Sequence, residues 1–231
     1  MRLLSPLSKI ALAVIALSAI PLPTRADSTI YSNGPTNGTV SGWSLYYGYD
    51  TQNSFTVSAT STLTAVTFGN WLDHGDTAQS IVWSIVSTEG SMTPLCATCS
   101  GTAPLSGVEL SISGTPDGYD LYNQTFSLPD ITLAPGTYWL DLGNENVSGG
   151  FGYWDINGGP SMVWETFYGD LSGPNCAAAG AYISALGCSD AFTIYGTTST
   201  SATPEPDSLA LLGSALTLLA AKFRRGANRT T

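Results

Sequence analysis

The side chains able to do chemistry in this 231-residue sequence fall into four groups: four cysteines, one histidine, two aromatic clusters and a pool of 17 Asp and Glu. Cys96-Ala97-Thr98-Cys99 has the spacing of a redox motif, but neither an amphipathic helix nor a base follows it to hold a thiolate. Four thiolates would suffice for zinc, a use that an oxidising compartment disfavours. With Cys176 and Cys188 the count is even, which reads as two disulfides. Three pairings are open; proximity along the chain favours Cys96–Cys99 and Cys176–Cys188, each stapling a loop.

His74 stands in Asp73-His74-Gly75-Asp76. A Ser-His-Asp hydrolase would have to be built on it, and the sequence has no Gly-x-Ser-x-Gly elbow. Asp73, His74 and Asp76 are suitable ligand types for Ca²⁺, while Gly75 and the close spacing equally describe a hairpin turn. No other cofactor is implied. Paired-carboxylate glycosidase chemistry needs only Asp and Glu. No pair stands out, so a secreted polysaccharide hydrolase is kept as the second functional reading.

The aromatics are more suggestive. Trp43, Tyr46, Tyr47 and Tyr49 cluster early; Tyr153, Trp154 and Asp155 cluster late, followed by Asn157-Gly158-Gly159. Trp and Tyr faces stack on sugar rings, and an Asp or Asn takes the hydroxyl hydrogen bonds. Trp43, Tyr46, Tyr153, Trp154 and Asp155 are therefore the expected ligand platform. The competing expectation is that strand alternation turns roughly half of them into the core.

These groups must be positioned by a body, residues 27–196, that reads as all-β. Phe55 and Val57 alternate with Thr56 and Ser58; Val108, Leu110 and Ile112 alternate with Glu109, Ser111 and Ser113. Phe126, Leu128, Ile131 and Leu133 bracket a break at Pro129-Asp130. Ala134-Pro135-Gly136 is a turn feeding a strand with Tyr138, Leu140 and Leu142 on one face. Phe192 and Ile194 close the series. Ser80 to Val86 is apolar on both faces, as a central strand should be. No stretch has convincing helical periodicity, and Ala177 to Leu186 reads as a loop. About eight to ten strands in a body of this length predict a β-sandwich, jelly-roll-like in connectivity.

Charge sets limits on partners. There are 7 Lys and Arg, and the net charge is −10. All the basic residues (Arg2, Lys9, Arg25, Lys222, Arg224, Arg225, Arg229) lie at the two ends, whereas every acid except Glu205 and Asp207 lies between Asp27 and Thr203. A phosphate-clamping nucleic-acid binder is excluded, and an enzyme for acidic substrates is disfavoured. The acidic excess reads either as cation binding or as a solvated surface.

The ends read as addresses. Arg2 and Lys9 precede an apolar run, Ile10 to Ile20, and Thr24-Arg25-Ala26 offers a cleavage site, so residues 1–26 fit a secretory signal peptide. At the other end, the Ser/Thr stretch 197–203 is a tether, followed by Pro204-Glu205-Pro206. An uncharged run from Ser208 to Ala221 comes next, about 21 Å as a helix, which fits either a peripheral helix or, extended by Phe223, a short transmembrane helix of about residues 208–223. Lys222, Arg224 and Arg225 would stop it on the cytoplasmic side. Both ends then place the body on the export side.

Pro204-Glu205-Pro206, the Leu/Ala/Gly-rich helix and the terminal Arg cluster resemble the PEP-CTERM sorting signal of Gram-negative bacteria. The resemblance is confined to residues 204–231, and Gly226 to Thr231 extend beyond the point where many members stop. It implies recognition by an exosortase, a membrane-embedded cysteine transpeptidase-like enzyme that cuts near the Pro-Glu-Pro. The inner-membrane-anchored precursor is then delivered to the surface or released, in bacteria that make exopolysaccharide and biofilm. Two prolines keep the motif extended and poor in backbone hydrogen bonds, a form that enters a protease cleft. The leading expectation is thus an exported, non-enzymatic surface or matrix protein, binding a glycan or a cation.

Overall fold

The computed structural model describes residues 27–38, 42–110, 118–167 and 189–199. The chain divides into two units, Met1–Thr197 and Thr198–Thr231. The strands below belong to the first, apart from Thr198 at the end of the last strand, and the signal-peptide, sorting-motif and transmembrane expectations fall outside the described residues, as do Cys176, Cys188, Ile112 and residues 177–186.

Among the described residues the fold is all-β and holds no helix. Thirteen strands occur: β1 (Ser28–Ser32), β2 (Gly42–Ser44), β3 (Tyr49–Val57), β4 (Ser61–Asp73), β5 (Ala78–Val86), β6 (Ser100–Pro104), β7 (Ser106–Leu110), β8 (Tyr119–Leu133), β9 (Gly136–Val147), β10 (Gly152–Asn157), β11 (Val163–Phe167), β12 (Ser189–Asp190) and β13 (Phe192–Thr198). That exceeds the expected eight to ten, because short two- to five-residue strands at the edges carry little sequence signal.

The strands form two antiparallel sheets. One has the order β11-β3-β9-β5-β6. In the other, β4 is central: β8 pairs along its length with β7 outside, while β13 and β10 share its opposite edge, carrying β1, β2 and β12. Both sheets contribute to one apolar core, with Phe55, Val57, Ile81, Trp83, Ile85, Leu140 and Leu142 from the five-stranded sheet and Val66, Phe68, Phe126, Trp154 and Ile194 from the other. Burying these side chains is the main favourable term available to a body that has no Lys or Arg for ion pairs. The result is a β-sandwich-like body.

The break at Pro129-Asp130 is a bulge inside one long strand. Leu63 pairs with Ile131 and Ala65 with Ser127, so Leu128, Pro129 and Asp130 stand opposite Thr64 alone. Pro129 lacks the N–H a regular ladder needs, and Asp130 takes a left-handed φ of 50°. The extra residues reset the alternation, so that Phe126 and Leu128 on one side and Ile131 and Leu133 on the other all face inward.

Two expectations need correction. β5 does lie inside its sheet, between β9 and β6, but Val82 on its outer face is partly exposed. In β7, Val108 pairs with Asn123, whose neighbours on β4 point away from the core, and Val108 is 68% exposed. An edge strand with one partner has little to cover its outer face, whatever its apolar alternation.

Candidate functional site

Strand pairing assembles an aromatic strip on the outer face of the larger sheet. Val66 and Phe68 of β4 point inward, so Trp71 and Asp73 point outward. Trp71 pairs with Tyr153 of β10, and Asp73 pairs with Tyr119 of β8. The rings form a chain: Trp71 to Tyr119 at 6.2 Å, Tyr119 to Tyr153 at 6.5 Å, Tyr153 to Tyr46 at 5.8 Å. Tyr46 then meets Phe151 at 4.5 Å and Tyr49 at 4.8 Å. Phe151 is 50% exposed and Tyr119 39%. Large apolar rings left to water in a cluster mark an interaction surface more often than isolated ones do.

Carboxylates rim the strip. Asp73 stands beside Tyr119 in the ladder, and its field, after burial and the neighbouring Tyr46 and Tyr119 hydroxyls, helps push the Tyr153 phenol up to about 12. Asp76 accepts from Gly150 N (2.5 Å) and Ser148 Oγ (3.0 Å), which ties the β4–β5 turn to the loop that presents Phe151. On the opposite face of β8 from Tyr119, Asp120 accepts from Gly75 N (2.9 Å), which holds its carboxyl below the usual range together with His74. His74 Nδ1 lies 2.8 Å from Asp120 Oδ1, and this hydrogen bond raises the imidazole pKa.

The expected platform is only partly at this surface. Tyr46 and Tyr153 are in the strip. Trp154 points to the other side of β10, is 0% exposed, packs on Phe68 and Phe192, and donates Nε1–H to Ala191 O (3.0 Å). Trp43 is buried opposite it on β2. Asp155 is buried too, accepting from Trp71 Nε1 (2.7 Å), Asn37 N (2.8 Å) and Gly38 N (3.3 Å). Trp43, Trp154 and Asp155 are therefore corrected from ligand contacts to interior residues. Alternation along β10 turns Trp154 to the opposite face from Tyr153, whereas Asp155, on the same face as Tyr153, is covered by the Asn37–Gly38 backbone. Tyr119 was missed because it reaches the strip from a distant segment, and Trp71, 4% exposed, is a buried member of the ring chain; Phe151, two residues from Tyr153, carried a signal, an aromatic between Gly150 and Gly152.

For the expected cation at Asp73 and Asp76, the described residues bring together no group of three His, Cys, Asp or Glu with metal-holding geometry. His74 faces Asp120 instead, and both Asp76 oxygens accept protein hydrogen bonds. Cys96 and Cys99 are bridged, closing a turn in which Cys99 N donates to Cys96 O (3.0 Å).

Among the described residues, six carboxyl groups (Asp50, Asp141, Glu145, Asp155, Glu165 and Asp190) are buried or half-buried with no Lys or Arg to pair with, and burial raises the pKa of each. Asp141 and Glu145 of β9 reach about 8. Asp190 is held in a polar knot: it accepts from Asn53 Nδ2 (2.6 Å), and Asn33 joins Ser161, Ser189 and the Asp190 carbonyl. Asp141 lies on the outer face of the smaller sheet, accepting from Ser84 Oγ (3.1 Å), with Asp50 beside it. Gln52 on that face clasps the 87–99 segment through Gly90 N (3.0 Å) and Ser91 O (2.9 Å).

A cavity of about 310 Å³ lies farther along the outer side of the larger sheet, lined by Thr36, Gly69, Asn123, Thr193 and Tyr195 among others. Fold and site together define a two-sheet all-β protein with an aromatic, acid-rimmed face. A scan of protein-family models finds no match, and a search of curated proteins finds none.

Proposed function

We propose that this chain is an exported, non-enzymatic surface or matrix protein that binds a glycan on the strip formed by Tyr46, Tyr119, Phe151 and Tyr153. The observation that carries this reading is the clustering of partly exposed rings from three separate segments on one outer sheet face. Such rings offer the CH-rich faces of sugars a stacking surface, and the neighbouring carboxylates accept hydroxyl hydrogen bonds. The signal peptide at residues 1–26, the Pro204-Glu205-Pro206 motif, the helix of about 208–223 and the Lys222, Arg224, Arg225 stop are read as a PEP-CTERM-like delivery system around a jelly-roll-like sandwich. The precursor is anchored in the inner membrane, an exosortase-type enzyme is its processing partner, and exopolysaccharide at the cell surface is the setting. Binding of the purified chain to a glycan array tests the body; binding weakened about tenfold by Tyr153→Ala is the expected result, and unchanged affinity would remove the strip from the account. Glu205→Ala should leave the precursor in the membrane, and its normal delivery to the surface would remove the sorting claim.

A second reading, a polysaccharide hydrolase, is favoured by Asp141. Burial and then the nearby Asp50 push its carboxyl, 7% exposed, up to about 8, and a raised carboxyl beside a second one is the pairing that acetal hydrolysis uses. Reducing-end release from a polysaccharide that disappears in Asp141→Asn would establish it; binding without turnover would dismiss it.

A further inference from the structure

Which sugars such a strip selects is decided by charge, and the choice rests on the glycan reading above. We infer that its ligand is an amino-sugar polymer carrying free, protonated amino groups.

Two carboxylates, Asp73 and Asp76, border the strip beside Phe151; Asp120, the ladder partner of Leu72, lies on the opposite face of β8 from Tyr119. Asp73 is the ladder partner of Tyr119, and its Oδ2 packs so closely on Gly150 that a Cβ there would lie 1.8 Å away. Asp76 accepts from Gly150 N, and its Oδ2 would lie 3.0 Å from the same Cβ. The single group near them able to carry positive charge, His74, is engaged by Asp120. The body has no Lys or Arg between Asp27 and Thr203. Asp73 and Asp76 thus present negative charge next to Phe151 and Tyr119 with no Lys or Arg among the described residues to balance it.

The rings add to this preference. Tyr46 meets Tyr49 at 64° and Tyr153 at 79°, so their planes form a corner, not one flat shelf. A corner of aromatic faces attracts an ammonium through the ring quadrupoles, and adjacent carboxylates strengthen the attraction. A uronic-acid polymer meets repulsion here. A neutral glucan stacks on the rings but draws nothing from the charge. A glucosamine polymer uses both.

The test is calorimetry on the purified full-length chain in mild detergent, in mildly acidic buffer, with the hexasaccharides of glucosamine, N-acetylglucosamine, glucose and galacturonic acid. Glucosamine hexamer is expected to bind at least about tenfold more tightly than N-acetylglucosamine hexamer, with an advantage that shrinks at high salt. The Asp73→Asn/Asp76→Asn variant should bring the two within about threefold, and Asp73→Asn alone should move them in that direction if the double variant melts early. Equal or weaker binding of the glucosamine hexamer overturns the amino-sugar inference while leaving the glycan reading standing. Binding of none of the four overturns both.

Discussion

Asn70 Nδ2 donates to Glu145 Oε1 across 2.5 Å, joining β4 of one sheet to β9 of the other inside the body. Both side chains are buried, and the two remaining oxygens, Asn70 Oδ1 and Glu145 Oε2, have no other partner. A carboxylic acid satisfies this arrangement and a carboxylate does not. Protonated at Oε2, Glu145 becomes a donor at the oxygen that has no partner, and the pair leaves no buried charge.

The pair sets the direction of pH dependence. The Glu145 pKa rises from 4.5 unfolded to about 8 folded. The folded state then binds more protons than the unfolded state between those values, so stability is greatest near pH 4.5, declines as pH rises towards 8, and levels off above it. Each such group contributes a slope of up to about 1.4 kcal/mol per pH unit, and Asp141 behaves alike. Urea melts across this window should show Glu145→Gln with a shallower slope and, near pH 8, greater stability than the parent. An unchanged slope would mean Glu145 is not protonated in the folded state.

Gly152 is the residue that leaves room for this pair. A Cβ there would sit 1.5 Å from Glu145 Oε2, on a strand that cannot move away from β2 and β4. Gly152→Ala is expected to lose about 1–3 kcal/mol by overpacking, whereas Gly75→Ala meets no neighbour and suffers only from its positive φ. Thermal melts of the two variants check the difference.

The two faces of β10 separate binding from folding. Tyr153→Ala should weaken glycan binding about tenfold with a small change in melting temperature. Trp154→Ala, next in sequence but wholly buried, should lose about 3–5 kcal/mol of stability. If Trp154→Ala melted like the parent, the assigned facing of β10 would be wrong.

The Cys96–Cys99 bridge closes a loop with a sequence separation of only 3. Short loops cost the unfolded chain little entropy, so breaking this bridge should cost no more than about 2 kcal/mol. Cys96→Ser should leave the body folded, with strand β5 still protected in amide exchange. Global unfolding of that variant would assign the bridge a larger role.

Much of the body was legible in residue order. Period-two alternation located the strands around Phe55, Tyr138 and Phe192, and the cysteine spacing pointed to the Cys96–Cys99 bridge, because both depend on neighbours within a few residues. The same local information determined that basic residues are absent from the middle of the chain, and hence that carboxyls buried there go unpaired by Lys or Arg. What only the tertiary structure decided is which carboxyls those are and which rings reach the surface together. Tyr46, Tyr119 and Tyr153 meet through pairing between strands far apart in sequence, and Trp154 is taken from them by a half-turn of the pleat. Alternation defines two faces for every strand, but only packing of one sheet on the other determines which face meets water.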